Sequence, residues 1–438
     1  MTPVASGHNH RRLGRPAAFT VLALATVVMM ATASAPSPLY PLYRERWDFS
    51  VTMVTVVFAV YVIGLLGALL TLGSLSDHLG RRPVLLTALL LAAASTTIFW
   101  TADGVLSLVI ARVVQGVATG TAMCSLAAGS VEFSPARRPH VGTTVTVVGT
   151  SVGLAAGAAV VGLLVQSIPR PDMFVFSVLT FVFLILAVTV VRIPETVAPR
   201  AGVRAALRPR VRVLHGARPP FLAAVPTLVA GWSVTGLFLA LTPSVVTGVL
   251  HVTWGAAGGL DIAALFLASG MGGLWSLRHA ARSATLLGAV FLALGAAGLA
   301  VAIALSSPVT FAGGSVVAGL GAGLTFNGNL RAIGEITMAD SRSEVFSAVY
   351  VVSYAALSLP SLAAGLLAPS WGLKATSYLS IGFVGVLSLI ALIHAGRSRA
   401  DGPTGHADRI GRTGPVQAAV ACRSTCEWQR HDGKDPLM

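Results

Sequence analysis

Twelve apolar runs, divided by short polar segments, are the feature that most constrains the fold of this chain. Most runs reach the ~20 residues that an α-helix needs to cross about 30 Å of hydrocarbon at 1.5 Å per residue. Because helices of this length satisfy their own backbone hydrogen bonds in lipid, the runs predict an all-α membrane protein with 12 transmembrane helices. The runs lie at about residues 17–35, 51–72, 83–100, 105–129, 141–166, 173–192, 220–243, 255–277, 284–305, 309–331, 345–367 and 375–393.

The composition agrees with a membrane protein and excludes several other classes. Of the 438 residues, 55% are hydrophobic and only 11% are charged, whereas charged residues make up about 25% of a soluble globular protein. Such a chain provides too little polar surface for most soluble enzymes. The same numbers exclude a disordered chain, a collagen and a disulfide scaffold.

The cysteine pattern predicts neither a disulfide framework nor a metal site. Cys422 and Cys426 lie near His431 in the C-terminal tail, but this set lacks a fourth ligand and the usual zinc spacing. The third cysteine, Cys124, lies within the fourth run. We therefore expect no metal and no cofactor.

The distribution of basic residues predicts the orientation in the membrane. The net charge is +14, and 25 of the 30 basic residues fall in the two tails and in the loops on their side. Because cytoplasmic loops carry the excess of Arg and Lys, we expect a multi-pass protein of the cell (plasma) membrane with both termini in the cytoplasm. No aromatic residues interleave the basic clusters, so nucleic acid is not an expected partner. The opposite loops hold Arg44, Arg46, Arg170 and Lys374.

A cleaved signal peptide is an alternative reading of the N-terminus. Arg11, Arg12 and Arg15 precede the first run, and residues 31–35 resemble a cleavage site. The first two arginines also fit a twin-arginine signal, although positive flanking of a helix explains them more simply. Eleven further spans and the proline-containing segment 36–38 favour an uncleaved first helix.

An Arg-rich segment at 193–219 divides the runs into two sets of six. Its length, its prolines and its charge are typical of a linker, and Glu195 is its only acid. Two nearly equal sets suggest an internal repeat. The predicted parts are a cytoplasmic N-terminal tail at 1–16, six-helix bundles at 17–192 and 220–393, a cytoplasmic linker at 193–219 and a disordered cytoplasmic tail at 394–438.

Glycine spacing supports the repeat. Gly116-x-x-x-Gly120 in the fourth run matches Gly319-x-x-x-Gly323 in the tenth. Glycines spaced in this way let neighbouring membrane helices approach closely. The fourth and tenth spans are therefore expected to occupy equivalent places in the two bundles.

The polar turn after the second run has the sequence GSLSDHLGRRP. Gly73 allows close helix packing, Gly80 permits a tight turn, and Arg81 and Arg82 can pair with Asp77 or with carbonyl groups at helix C-termini. A merely basic loop would be the simpler interpretation. The string nevertheless resembles G-x-L-x-D-x-x-G-R-[RK], the signature of the major facilitator superfamily, in a chain with the matching number of spans.

This resemblance implies a secondary transporter rather than an enzyme. It implies two six-helix bundles around a central cavity, lined by helices one, four, seven and ten, which rock to open the cavity to each side in turn. It also implies that the turn after the second span is a conformational motif. We expect the pairing of Asp77 with nearby Arg side chains and helix ends to hold the cytoplasmic side closed in the outward-facing state.

The fourth run contains a second motif. Arg112, Gln115 and Gly116 resemble the R-x-x-Q-G motif of the superfamily. An Arg inside a membrane span costs at least ~2.5–3.5 kcal/mol of insertion free energy. A role for Arg112 in coupling or binding is therefore expected. The alternative is that Arg112 extends to the outer headgroups. Ser315 occupies the equivalent place in the second half, so the charge belongs to one half only.

The fifth run contains a partial third motif. Residues 149–158 resemble the pattern G-x-x-x-G-P-x-x-G-G of drug–proton antiporters, but Leu154 replaces the proline and Ala158 the last glycine. The glycine spacing still fits close helix packing. Residues 34–38, which end the first helix with two prolines, are also similar to exporters of this group.

Few other polar groups lie within the runs. Asp261, about a quarter of the way into the eighth run, is the one carboxylate clearly inside a run. It is either an interfacial acid or a group that binds and releases a proton. Glu132, near the end of the fourth run, is interpreted as interfacial. Residues that either pack in the core or line a cavity for a partly apolar ligand are Tyr61, Trp232, Asn327, Tyr350 and Tyr354.

No motif of a hydrolase or an ATP-driven pump is present in the sequence. The partial third motif and the Arg112 motif favour a proton-coupled exporter of small amphipathic compounds. A metabolite importer or a uniporter of the same fold is the alternative. A membrane receptor is a third interpretation, although a receptor would be expected to carry a folded cytoplasmic domain. The expected partners are a small-molecule substrate, protons and the lipid bilayer, and the expected state is a monomer.

Overall fold

The computed structural model describes residues 12–135, 137, 141–198, 218–336 and 342–400. Most of the predicted linker and the predicted tail from residue 401 onward lie outside the described residues, and so do the two tail cysteines. The described residues up to Ala391 belong to one compact unit. All contacts discussed below lie within this unit.

Fourteen α-helices make up the regular structure of the described residues, together with one 3-10 turn at Ser37–Leu39. They form 12 spans that are long and apolar enough to cross a membrane, which confirms the predicted all-α membrane fold. The first half of the chain contains α1 (Arg15–Ser34), α2 (Tyr40–Trp47), α3 (Val51–Leu72), α4 (Leu75–Leu79), α5 (Arg81–Trp100), α6 (Val105–Glu132), α7 (Val141–Ser167) and α8 (Pro171–Val190). The second half contains α9 (Arg218–Gly248), α10 (Ala257–Ser276), α11 (Ala281–Leu305), α12 (Pro308–Ile336), α13 (Arg342–Trp371) and α14 (Leu373–Ala400).

The first span is broken near its end by two prolines. Pro36 precedes the 3-10 turn and Pro38 lies within it, and α2 then continues the span to Trp47. Because proline has no backbone N–H and a fixed φ, a regular helix does not run through this segment. The Ser34 hydroxyl group donates a hydrogen bond of 2.7 Å to the carbonyl oxygen of Leu154 and fixes the break against α7.

The helix ends gather at two sides of the bundle. One side is here called the motif end, because α3 ends and α5 begins there. At this end Arg81 bonds to Glu132 at the end of α6, and the Leu13 backbone N–H donates to Arg192 O at 2.9 Å. The opposite side is called the far end. The loop between α2 and α3 lies at the far end.

Glycines give the two halves of the chain matching helix contacts. A Cβ at Gly116 would lie only 2.8 Å from the Leu65 backbone nitrogen, so α6 packs directly on the backbone of α3. A Cβ at Gly319 would lie 3.0 Å from the Ala268 Cβ, and α12 packs on α10 in the same way. The repeated G-x-x-x-G spacing therefore has the same packing role in both halves.

The two halves of the chain contact each other at the far end. Thr52 Oγ1 of α3 donates to Gly365 O of α13 at 2.6 Å. A Cβ at Gly162 of α7 would lie 3.0 Å from the Gly259 Cα of α10. Small residues thus bring α3 against α13 and α7 against α10, which leaves space for a cavity toward the motif end.

Candidate functional site

A cavity of about 350 Å³ lies between the two halves of the chain, toward the motif end. Its walls come from α6 and α7 of the first half and from α9, α10, α12 and α13 of the second half. Among the described residues, its lining contains no Asp, Glu, Lys or Arg. Hydroxyl groups and one carboxamide supply its polarity. The threonines of the lining are Thr143, Thr146, Thr150, Thr227, Thr235 and Thr325.

Aromatic rings cover the wall formed by the second half. Trp232 of α9 lies 5.3 Å from Phe326 of α12 and 5.3 Å from Tyr354 of α13, between ring centroids. Tyr350 stacks on Tyr354 at 6.2 Å. Trp232, Tyr350, Tyr354 and Asn327 are the predicted cavity residues that the structure brings together here. Phe326 is an aromatic residue that the sequence analysis did not single out.

One side of helix α7 faces the cavity, and its opposite side packs against α1. Thr150, Ser151 and Leu154, within the partial third motif, line the cavity. A Cβ at Gly153 would lie 2.5 Å from Val27 O, so α1 packs closely on the glycine face of α7. No described residue of α1 lines the cavity. This differs from the expectation that helix one would line it, because the glycine face of α7 covers α1.

Arg112 is completely buried and is held within the first half of the chain. Its Nη1 donates to Ala33 O at 3.1 Å and to Gln115 Oε1 at 2.7 Å. Its Nε and Nη2 donate to the Tyr40 hydroxyl oxygen at 3.2 and 2.5 Å. Its guanidinium carbon lies 5.2 Å from the ring centroid of Tyr61, within the range of a cation–π interaction. Arg112 therefore connects α6 to both sides of the break in the first span, and Tyr61 packs on it rather than lining the cavity.

The other two residues of the R-x-x-Q-G motif also hold α6 against neighbouring helices. Gln115 Nε2 donates to Thr32 O of α1 at 2.8 Å, and Gly116 lies against α3. Among the described residues, no ion pair joins Arg112 to a carboxylate. The polar partners of Arg112 are thus neutral groups, and none of the three motif residues lines the cavity.

Asp261 lies near the start of α10 and is 7% exposed. Ser315 Oγ of α12 donates to Asp261 Oδ2 at 3.0 Å, while Oδ1 has no hydrogen-bond partner among the described residues. Because Ser315 occupies the place of Arg112 in the repeat, the two halves differ in charge at this level. At this place in the repeat, the first half buries the cation Arg112 and the second half buries the acid Asp261. Asp261, like Arg112, does not line the cavity.

The motif end of the first half contains a network of ionic side chains. Arg81 Nη1 pairs with Asp77 Oδ1 at 2.5 Å, and Arg81 Nη2 pairs with Glu132 Oε1 at 3.2 Å. Gly73, at the end of α3, packs close to the thiol of Cys124 in α6. Asp77 therefore binds within its own half in this conformation, and Glu132, interpreted above as interfacial, is a second partner of Arg81.

The turn between α4 and α5 is closed by an acid from beyond α8. Gly80 has φ of 102°, a backbone conformation that favours glycine. Glu195 accepts hydrogen bonds from the backbone N–H groups of Arg81 at 2.8 Å and of Arg82 at 2.9 Å. These N–H groups begin α5 and have no partner within the helix, so the Glu195 carboxylate caps α5 where a negative charge is favourable.

A sequence model of the Major Facilitator Superfamily matches residues 22–326, well over half of the chain. The chain belongs to the major facilitator superfamily. Its membership makes it a multi-pass membrane transporter rather than an enzyme. No curated protein matches the chain significantly.

Solved structures of major facilitator transporters share the fold. A bacterial homologue of the human lysosomal transporter Spinster, in an inward-facing and unoccupied conformation, has a TM-score of 0.71 and 13% identity. The match covers 88% of this chain and 97% of that chain. A mutant of the peptide transporter POT in complex with alafosfalin has a TM-score of 0.70 and 14% identity, covering 86% of this chain and 94% of that one. At these identities the similarity establishes the fold alone.

One buried acid of this superfamily member was missed by the sequence analysis. Asp172, at the start of α8, pairs with Arg46 of α2 at 2.6 Å, and its side chain is only 8% exposed. The sixth predicted run begins at residue 173, so Asp172 falls just outside it. This is why Asp261 is predicted to be the one carboxylate clearly inside a run. The helix instead begins at Pro171, and proline in the first turn is a signal that would have extended the run to include Asp172.

Proposed function

We propose that this member of the superfamily exports small amphipathic compounds, driven by proton antiport, through alternating access. The uncharged cavity between the two halves is the observation that carries the proposal. Its volume of about 350 Å³ suits a small ligand, and its wall combines aromatic rings with hydroxyl groups. A partly apolar ligand without a strong charge would lose the least hydration free energy on leaving water for such a site.

Proton coupling needs a group whose charge changes during the transport cycle. Arg112 remains protonated in proteins and acts only through its fixed charge. Asp261 is buried, and among the described residues Ser315 is the one donor to its carboxylate and its Oδ1 has no hydrogen-bond partner, which supports it as the group that binds and releases the proton. We assign Asp261 to proton binding and Arg112 to holding the first span in place for coupling.

The movement proposed here is a rocking of the bundles at 17–192 and 220–393 against each other in a monomer. Closure of the far end by Thr52 and Gly365 supports a state in which the cavity is reached from the motif end. The basic residue distribution supports a cytoplasmic motif end in the cell membrane, with both termini on that side.

Cysteine labelling in intact cells tests this orientation. After replacement of the native cysteines, Ala198→Cys places one exposed thiol at the motif end and Thr101→Cys places one at the far end. An impermeant thiol reagent should label the Thr101→Cys protein and leave the Ala198→Cys protein unlabelled until the cells are opened. Labelling of the Ala198→Cys protein from outside would contradict the orientation.

Transport in proteoliposomes with an imposed pH gradient tests the mechanism. The purified protein should accumulate a small uncharged aromatic compound against its gradient when protons flow the other way. Asp261→Asn should abolish accumulation but leave exchange of labelled for unlabelled compound. Asp103→Asn, which changes an exposed acid at the far end, is the matched control and should leave both activities intact.

A uniporter is the second candidate, because Asp261 lies outside the cavity lining. A uniporter would exchange the compound at equal rates with and without a pH gradient and would never accumulate it. Full pH-driven accumulation by Asp261→Asn would instead show that another group binds the proton.

A further inference from the structure

We propose that the cavity takes a neutral amide that holds its N–H and its carbonyl oxygen side by side, as a lactam does. The ligand N–H donates to Asn327 Oδ1, and the ligand oxygen accepts from the Ser151 hydroxyl group. These two residues are here called the polar corner. The inference rests on the proposed transport function and names the class of its substrate.

The polar corner exists because α10 lacks side chains at two positions. Ser151 of α7 and Asn327 of α12 both line the cavity. A Cβ at Gly270 would lie 3.1 Å from Ser151 Oγ, and a Cβ at Gly273 would lie 2.8 Å from Asn327 Nδ2. Because these glycines are three residues apart in one helix, they differ by about 4.5 Å along its axis. Ser151 and Asn327 thus approach α10 within one turn of each other, near enough for one ligand group to contact both.

The carboxamide of Asn327 is oriented by its own helix. Its Nδ2 donates to Gly323 O at 3.1 Å. A carbonyl oxygen can only accept, so this bond distinguishes the nitrogen from the oxygen of the carboxamide. Nδ2 and Cγ, at 2.8 and 3.7 Å, are the Asn327 atoms nearest to a Cβ at Gly273. Oδ1 is therefore turned away from α10.

The carboxamide oxygen of Asn327 remains available to a ligand. It has no hydrogen-bond partner among the described residues, and it is not one of their enclosed polar atoms. Because a polar group loses free energy when it leaves water without a partner, an oxygen beside a largely apolar ligand favours a ligand that brings a donor. A ligand N–H supplies that donor.

The hydroxyl group of Ser151 is the matching donor on α7. Thr146 Oγ1 and Thr150 Oγ1 donate to Gly142 O and Thr146 O of their own helix, at 3.1 and 2.7 Å. Each hydroxyl group has one hydrogen, which these bonds use. Ser151 Oγ has no partner among the described residues and is not enclosed. Of these three side chains of α7, Ser151 is the one whose hydrogen is available to a ligand carbonyl group.

The rest of the lining favours a neutral and flat ligand. Among the described residues the lining contains no Asp, Glu, Lys or Arg, so a charged ligand would lose its hydration without gaining an ionic partner. A lactam offers a donor and an acceptor without a charge. Phe326 precedes Asn327 in α12 and also lines the cavity, so a ring fused to the lactam can pack on an aromatic face.

Two bicyclic probes of nearly equal shape isolate the proposed hydrogen bond to Asn327. 2-Quinolone is a lactam, and coumarin is the corresponding lactone, with an oxygen in place of the N–H. Both keep the carbonyl group and the fused ring. Isothermal titration calorimetry with the full-length protein in nanodiscs, corrected with empty nanodiscs, should show about two- to tenfold tighter binding of 2-quinolone. Equal binding of the two probes, or tighter binding of coumarin, would overturn the proposal.

Asn327→Leu should abolish the preference for 2-quinolone, since leucine has a similar size but no acceptor. Any change in packing affects both probes, so the ratio of their affinities reports the hydrogen bond alone. A preference that survives in this variant would overturn the assignment of Asn327.

Ser151→Ala should weaken both probes by a similar factor, about two- to tenfold, and keep the preference for 2-quinolone, because both probes carry the carbonyl group. The control is Ser177→Ala in α8, since Ser177 bonds to Phe174 O of its own helix and is not a lining residue. It should change the binding of neither probe. Unchanged binding of both probes to the Ser151→Ala protein would overturn the assignment of Ser151.

The binding assay separates this inference from the proposed transport function. Selective binding of 2-quinolone that depends on Asn327, without transport in any gradient, would support the polar corner and overturn the transport proposal. Transport of 2-quinolone and coumarin with equal affinities that Asn327→Leu leaves unchanged would support the transport proposal and overturn this one.

Discussion

The hydroxyl group of Thr52 donates a hydrogen bond of 2.6 Å to the carbonyl oxygen of Gly365, and this bond joins the two halves of the chain at the far end. Gly365 is in close contact with Thr55 as well, so α3 and α13 meet along a face of small side chains. In the proposed alternating-access cycle, opening of the far end would break this bond. The bond would then contribute to the energy difference between the two proposed conformations.

Thr52→Val is expected to shift the population away from the conformation with a closed far end. Valine keeps the shape but loses the donor, and one net hydrogen bond of about 0.5–1.5 kcal/mol corresponds to a roughly two- to tenfold change in the population ratio. Spin-label distances across the far end measure the ratio. Thr71→Val is the control, because Thr71 bonds to Gly67 O within its own helix. Equal effects of both variants would contradict a specific role for Thr52.

Arg112→Lys is expected to destabilise the protein and to impair transport. Lysine keeps the charge but lacks the forked guanidinium that reaches Tyr40, Ala33 and Gln115 together. Loss of a charge-assisted hydrogen bond costs about 1.5–3 kcal/mol, which chemical denaturation in detergent measures. Arg170→Lys, at an exposed position, should be neutral. A stable Arg112→Lys protein with full transport would refute this interpretation of the motif.

Glu195→Gln is expected to lower the free energy of unfolding and to loosen the start of α5. Glutamine retains one acceptor oxygen, but the charge and the second acceptor for the N–H groups of Arg81 and Arg82 are lost. Hydrogen exchange of these two amides should become faster, while exchange in the middle of α5 should not. Glu45→Gln changes an exposed acid of α2 and provides the baseline.

Asp77→Asn is expected to reduce transport while the protein still reaches the membrane. The substitution keeps the size of the side chain and removes the charge that pairs with Arg81. Arg81 keeps its second partner, Glu132, so the fold should persist. Transport and spin-label distances at the motif end are the two measurements. Unchanged values of both, compared with Asp103→Asn, would show that Asp77 has no conformational role.

Features that depend on neighbouring residues in the sequence were predicted better than features that depend on contacts between distant residues. Hydrophobic runs predicted all 12 spans, because each span's length and apolarity are properties of consecutive residues. The pairing of Asp77 with Arg81 was predictable for the same reason. The cap by Glu195 was not, since its partner Arg81 lies 114 residues away and an acid in a basic linker has no local signature. The place of α1 outside the cavity was also missed, because it depends on the packing of α1 against α7.

The bonds from Leu13 to Arg192 and from Glu195 to the start of α5 have a consequence for biosynthesis. Every partner in these bonds lies within the first 195 residues of the chain. Because the chain is synthesised from its N-terminus, all these partners exist before residue 218, where α9 begins, has been translated. These contacts of the first half need no residue of the second half, so the first six spans can be joined in this way while the second half is still being synthesised.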